Sequence, residues 1–259
     1  MNDSRKSIFI TGAASGMGRA TARLFAGKGW FVGCYDVNAQ GLDELAEELG
    51  EDNCILEVLD VSKREDFRGC LERFAAKSSS QLDLLYNNAG ILGGGMFEDM
   101  PFETVESVIN TNLWGPINGI YEAMDLLKAT PNALCFTTSS ASAIFGAAGL
   151  SIYTATKHAV KGLTEALSVE LSVHDIRVAD VLPGLIDTGM MPEDYKQFLA
   201  KEGMWRLMPA EAVADVVWAA YHDTRLHWYV PAELEMHERV VIDNVENMRD
   251  INIKETFGG

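Results

Sequence analysis

The chain has 259 residues, 47% hydrophobic and 23% charged, an ordinary globular composition long enough for one large α/β domain or two small ones. A formal net charge of -17 with no block of like charge describes a distributed solvated surface, and phosphate repulsion excludes nucleic acid as a partner. No apolar run approaches the roughly 20 residues of a membrane span, and the stretch MNDSRKSIFITG carries no signal-peptide core. The four cysteines, Cys34, Cys54, Cys70 and Cys135, form neither a C-x-x-C pair nor a set with histidines. The expectation is a cytoplasmic protein with reduced thiols, no membrane partner and no metal site.

In chain order, SIFIT (7–11) reads as a strand, followed by a glycine turn and a helix from Ser15 to Lys28. WFVGCYD (30–36) is a second strand and GLDELAEEL (41–49) an amphipathic helix. CILEVLDV (54–61) and LDLLYNNAG (82–90) give two more strands. A helix through VESVINTNLWGPINGIYEAM precedes a strand at ALCFTTSS (133–140), a helix from Tyr153 to Val173 and a strand at IRVADVLPG (176–184). Residues 189–208 carry mixed helical signals rich in Met and aromatics, 210–223 form a good helix, and HWYVPAE (227–233) is a last strand. The segment after Glu238 is polar and reads as a weakly ordered tail. Strands alternating with helices, without a dividing linker, predict one α/β domain with a mainly parallel sheet covered on both faces.

TGAASGMG sets Gly12, Gly16 and Gly18, with Ser15 and Met17 between them, between the first strand and the first helix. Glycine permits the tight turn and close backbone approach that a dinucleotide pyrophosphate requires, and a helix N-terminus favours the anion. Asp36, followed by Val37, ends the second strand roughly 20 residues later, where an acid can bond an adenosine ribose. A carboxylate there repels the extra phosphate of NADP, so NAD is preferred over NADP. Arg19, one helical turn away, is the residue that argues the other way.

Tyr153 and Lys157, at i and i+4, share one helix face. A tyrosine is a poor base at neutral pH, but a nearby ammonium favours the phenolate. The pair can then exchange a proton with a substrate hydroxyl. Ser140 ends a strand thirteen residues earlier, on the ligand-binding edge of such a sheet.

TGAASGMG, DV at 60–61, NNAG at 87–90, NTNLWG at 110–115, Ser140, YTATK at 153–157 and PGLIDT at 183–188 stand in the order and spacing of the short-chain dehydrogenase/reductase family. The chain resembles that family over about residues 7 to 223. The resemblance implies a Rossmann-type, doubly wound fold and hydride exchange between NAD(H) and a secondary alcohol or ketone. It makes Tyr153 the general acid/base, and gives Lys157 the tasks of lowering its pKa and bonding the nicotinamide ribose. Ser140, preferred to Ser139 by its spacing to the tyrosine, orients the substrate oxygen. Asn112 holds main chain and a water that links Lys157 to solvent. Asp60 and Val61 meet the adenine; Asn88, Ala89 and Gly90 line the cofactor; Pro183, Gly184, Ile186 and Thr188 embrace the nicotinamide. Family members often end in an Asp-Gly-Gly turn that supports a tetramer. HWYVPAE stands here instead, which leaves a homodimer through residues 101–128 and 153–173, or a homotetramer, as the expected assembly.

The family builds its substrate pocket from three segments, here Leu92 to Met96, Ile144 to Leu150 and Met190 to Met208. Phe145, Met190 and Met191, with Met96, Tyr195, Met204 and Trp205, would form a flexible apolar wall for a hydrophobic alcohol or ketone. The five histidines do not cluster and read as structural or surface groups. Two other functions stay open: an NAD-dependent epimerase or dehydratase on the same scaffold, and a catalytically silent NAD(P)-sensing protein.

Overall fold

The computed structural model describes residues 5–50, 53–191 and 199–258. Seven strands form one parallel sheet: β1 (Ser7–Thr11), β2 (Phe31–Asp36), β3 (Cys54–Val58), β4 (Leu84–Asn87), β5 (Leu134–Thr138), β6 (Arg177–Pro183) and β9 (His227–Val230), in the order β3-β2-β1-β4-β5-β6-β9. A second, two-stranded sheet pairs β7 (Ile186–Asp187) with β8 (Met208–Pro209). Ile8 of β1 sits level with Val32 on one side and Leu84 on the other. The order reverses between β1 and β4, so a crevice opens there at the carboxyl ends of the strands.

Strand side chains alternate between two cores. Ile8, Ile10, Val32, Cys34, Leu84 and Phe136 pack on one face beneath α1 (Gly16–Gly27), α2 (Ala39–Leu49) and α7 (Ala210–Tyr221). Phe9, Tyr35, Leu85, Cys135 and Val178 pack on the other, against α3 (Arg64–Lys77), α5 (Gly115–Ala129) and α6 (Ser151–Glu170). Both faces are covered, and the central strands are therefore near-continuous apolar runs. Phe9 stacks on Tyr35 at 3.9 Å. A Cβ on Gly33 would strike the Phe74 ring at 2.7 Å, so the glycine makes room for α3.

Three elements differ from the sequence expectation. Helix α3 was passed over because its polar residues hide the i, i+3, i+4, i+7 stripe of Phe67, Cys70, Leu71 and Phe74. The segment after Glu238 is helical, not a weakly ordered tail: α8 (Leu234–Asp243) buries Leu234 and Val241, and α9 (Val245–Phe257) follows it. The helix expected through residues 105–124 is broken into α4 (Phe102–Ile109), a π turn at Asn110–Trp114 and α5. No helix among the described residues is long and apolar enough to cross a membrane.

Candidate active site

At the β1–α1 turn the backbone does the work. Gly12 and Gly16 adopt φ of +68° and +50°, where other residues are strained, and a Cβ on either would come within 2.9 Å of Ala89 or Thr188. A Cβ on Gly18 would lie 2.0 Å from the Gly12 carbonyl oxygen, so this glycine sets how closely helix meets strand. Ser15 is the N-cap residue of α1, and its side chain makes no capping bond, which leaves the first-turn N–H groups to an anion. These features fit a dinucleotide pyrophosphate. Thr188 packs directly over Gly16.

Asp36, at the carboxyl end of β2, accepts from the Ala14 N–H at 3.0 Å and from the Asn38 N–H at 2.9 Å. Its carboxylate is thereby fixed beside the glycine turn. Arg19 pairs with Glu44 at 3.3 Å and Glu48 at 2.7 Å, and its Nη1 lies 3.5 Å from the Ala14 carbonyl of the glycine turn. Val37 is exposed next to Asp36. Asp60 accepts from Ser62 N–H and Oγ at the end of β3, and the buried Val61 packs on Gly115.

A hydrogen-bond network joins this turn to the floor of the crevice. Asn88 donates to the carbonyls of Thr11 and Gly12, and Ala89 N–H donates to Thr11 Oγ1 at 3.1 Å. Thr138 Oγ1 reaches Tyr86 Oη and Asn88 Oδ1 at 3.0 and 3.2 Å. Thr11, Tyr86 and Thr138 were not singled out from sequence. Their common signal is position, since each is a polar side chain within one or two residues of a buried strand's carboxyl end.

Lys157 is 4% exposed; its Nζ donates to the Thr138 carbonyl at 2.8 Å and lies 5.4 Å from the Tyr153 ring centre. Burial lowers its pKa to about 8. Burial also holds the Tyr153 phenol above its ordinary value, against an opposing hydrogen bond from Ser140. The hydrogen bond from Ser140 favours the phenolate. Ser139 points elsewhere, donating to the Lys157 carbonyl at 3.0 Å. Asn112 sits in the π turn, whose 110–115 hydrogen bond interrupts the α-helical ladder. Its amide clamps Ile91, accepting from the N–H and donating to the carbonyl at 2.8 Å each. A Cβ on Gly90 would come within 3.2 Å of Asn112 Oδ1 and 3.7 Å of Lys157 Nζ, so Gly90 keeps these two groups close.

A cavity of about 780 Å³ opens above this floor. Met17, Asn88, Gly90, Ser140, Tyr153 and Lys157 line it, as do Pro183, Gly184, Ile186 and Thr188. Phe145, Met190, Met191 and Trp205 also line it. Met96 instead lies at the surface, Met204 packs on a core cluster, and Tyr195 falls outside the described residues. His237, read from sequence as structural or surface, lines the cavity with its ring 5.6 Å from Trp205. Met248, Ile251, Asn252 and Glu255 of α9 complete the wall and were missed, because a polar C-terminal stretch gives no periodic signal.

Comparison with known proteins agrees with this geometry. The family model for short chain dehydrogenase matches residues 6–198. The chain is 34% identical over 220 residues to the 3-oxoacyl-(acyl-carrier-protein) reductase of Thermotoga maritima, covering 82% of this chain and 88% of the relative. It is 32% identical over 216 residues to the cyclohexanol dehydrogenase of an Acinetobacter strain, covering 82% and 86% respectively. The crystal structure of 3-ketoacyl-(acyl-carrier-protein) reductase from Brucella melitensis complexed with NADH superposes with a TM-score of 0.78 at 26% identity, covering 87% of this chain and 96% of that one. The chain belongs to the short-chain dehydrogenase/reductase family of oxidoreductases.

Proposed function

We propose that the protein interconverts a secondary alcohol and a ketone with NAD(H), preferring NAD to NADP. The observation that carries the reading is the convergence of Ser140, Tyr153 and Lys157 on the floor of one cavity, at the carboxyl edge of the sheet. A nicotinamide supplies or accepts the hydride when bound; the chain's own task is the proton. Ser140 holds the substrate oxygen, and Tyr153 gives it a proton in reduction or takes one in oxidation. Lys157 places a cation beside the phenol and bonds the ribose, while Asn112 fixes the main chain at Ile91 next to it. Asp36 receives the adenosine ribose hydroxyls, and Arg19 is kept from a 2′-phosphate by its two glutamates.

Because burial holds Tyr153 above its ordinary pKa, the protonated form dominates at neutral pH, and alcohol oxidation rises with pH. The apolar walls suit a hydrophobic substrate. Pairing with a second copy through residues 101–128 and 153–173 would cover the exposed Phe102, Trp114, Tyr121, Val169 and Val173. A cytoplasmic setting accords with four free cysteines.

The test is absorbance at the reduced-nicotinamide band with NAD or NADP and a panel of secondary alcohols, aliphatic to polycyclic, at several pH values. Turnover with NAD that increases with pH is the expected result. Silence across the panel, with NADH bound, would overturn the proposal.

A further inference from the structure

The outer wall of the cavity is made by a stretch of chain beyond the family match, which ends at residue 198. Met248, Ile251, Asn252 and Glu255 stand at i, i+3, i+4 and i+7, so α9 turns one continuous stripe onto the cavity. The neighbouring wall is tied to these helices. Trp205 meets His237 of α8 edge-on, and Arg206 pairs with Glu233 at 2.9 Å.

The stripe carries two acceptor groups, Asn252 Oδ1 and the Glu255 carboxylate. Asn252 Nδ2 donates one of its two hydrogens to the Met248 carbonyl at 2.8 Å, and its Oδ1 can accept. Glu255 makes no ion pair among the described residues, and an ionised carboxylate only accepts. Among the described residues that line the cavity, the lysine or arginine cation is Lys157, at the floor. From floor to rim the cavity is therefore a proton-exchanging base, an apolar middle and an accepting edge.

We infer that the substrate is amphipathic: an apolar body with the secondary alcohol or ketone at one end and a hydrogen-bond donor, hydroxyl or ammonium, at the other, received by Asn252 and Glu255. The inference rests on the alcohol/ketone reading above. A carboxylate end, or the phosphate of a thioester carrier, would meet Glu255 with no lysine or arginine beside it among the described lining residues and is disfavoured.

The test is a series of ketones of one chain length ending in methyl, hydroxyl, ammonium or carboxylate. They are assayed with NADH at low ionic strength on the wild type, Glu255→Gln and Glu255→Lys. In the wild type, kcat/KM for the hydroxyl and ammonium ends should exceed that for the carboxylate end by about three- to tenfold. Glu255→Lys should reverse the ammonium-to-carboxylate order, with Glu255→Gln between. Turnover of the series with one unchanged order in all three proteins would overturn the inference alone. No turnover of any member, the methyl-ended ketone included, would overturn the alcohol/ketone reading and the inference with it.

Discussion

The two ends of the crevice are built by different means. The cofactor end is made of backbone: three glycines, an uncapped helix start, and Asp36 pinned by two N–H groups. Its tolerances at Gly12 and Gly18 are tenths of an ångström, because a Cβ there would meet main-chain atoms. The substrate end is made of side chains from separate segments, many of them flexible or partly exposed, such as Met190, Trp205 and Ile251. We assign the first end to the cofactor and the second to the substrate.

Substitutions that act at one end and not the other sharpen this contrast. Gly18→Ala should have the largest effect. Its Cβ would overlap the Gly12 carbonyl, and neither backbone can yield. An overpacking cost of about 1–3 kcal/mol lowers Tm by roughly 3–10 °C and abolishes NADH binding. An unchanged Tm with normal binding would refute the close-packing account.

Lys157→Met should reduce kcat by at least about a hundredfold yet raise Tm by a few degrees, because it removes a buried ammonium. The linkage has a definite sign. Burial lowers the folded-state pKa to about 8 from an ordinary 10.5. The cost to the wild type is full below pH 8 and fades as pH rises toward 10.5, so the Tm gap between the two proteins closes across that window. A gap that widens with pH would contradict the assignment.

Asp36→Ala should shift the NAD-to-NADP ratio of kcat/KM toward NADP by about tenfold or more, measured as relative rates with both cofactors. An unchanged ratio would remove Asp36 from ribose recognition. The smallest effect is expected at the other end of the crevice. Gly146→Ala puts its Cβ 3.5 Å from Thr154 Cγ2, an ordinary contact, and should leave Tm within about 1–2 °C while altering KM alone. A Tm loss matching that of Gly18→Ala would erase the contrast.

The same contrast explains what the sequence could and could not reveal. Gly12, Gly16, Asp36, Ser140, Tyr153 and Lys157 are legible because chemistry or backbone geometry demands those residue types at fixed spacings. Strands β1, β2 and β5 are legible because a sheet covered on both faces must be continuously apolar. Helix α3 was obscured by its charged residues, although Phe67, Cys70, Leu71 and Phe74 share one face. Helices α8 and α9 carry little local signal because their stabilising contacts are tertiary, as with Leu234 and Val241, which pack with Ile144 and Leu182. His237, Asn252 and Glu255 carry no local signal at all. Only the fold brings them to the cavity, across about a hundred residues from Tyr153.

The central claim is that Tyr153 exchanges the proton in a cofactor site that the backbone builds independently. The most direct test compares Tyr153→Phe with the wild type, measuring NADH affinity by nicotinamide fluorescence and turnover on the same ketone. The account predicts a loss of turnover of about 10²–10⁴-fold with NADH affinity nearly unchanged. Turnover at the wild-type rate would contradict it.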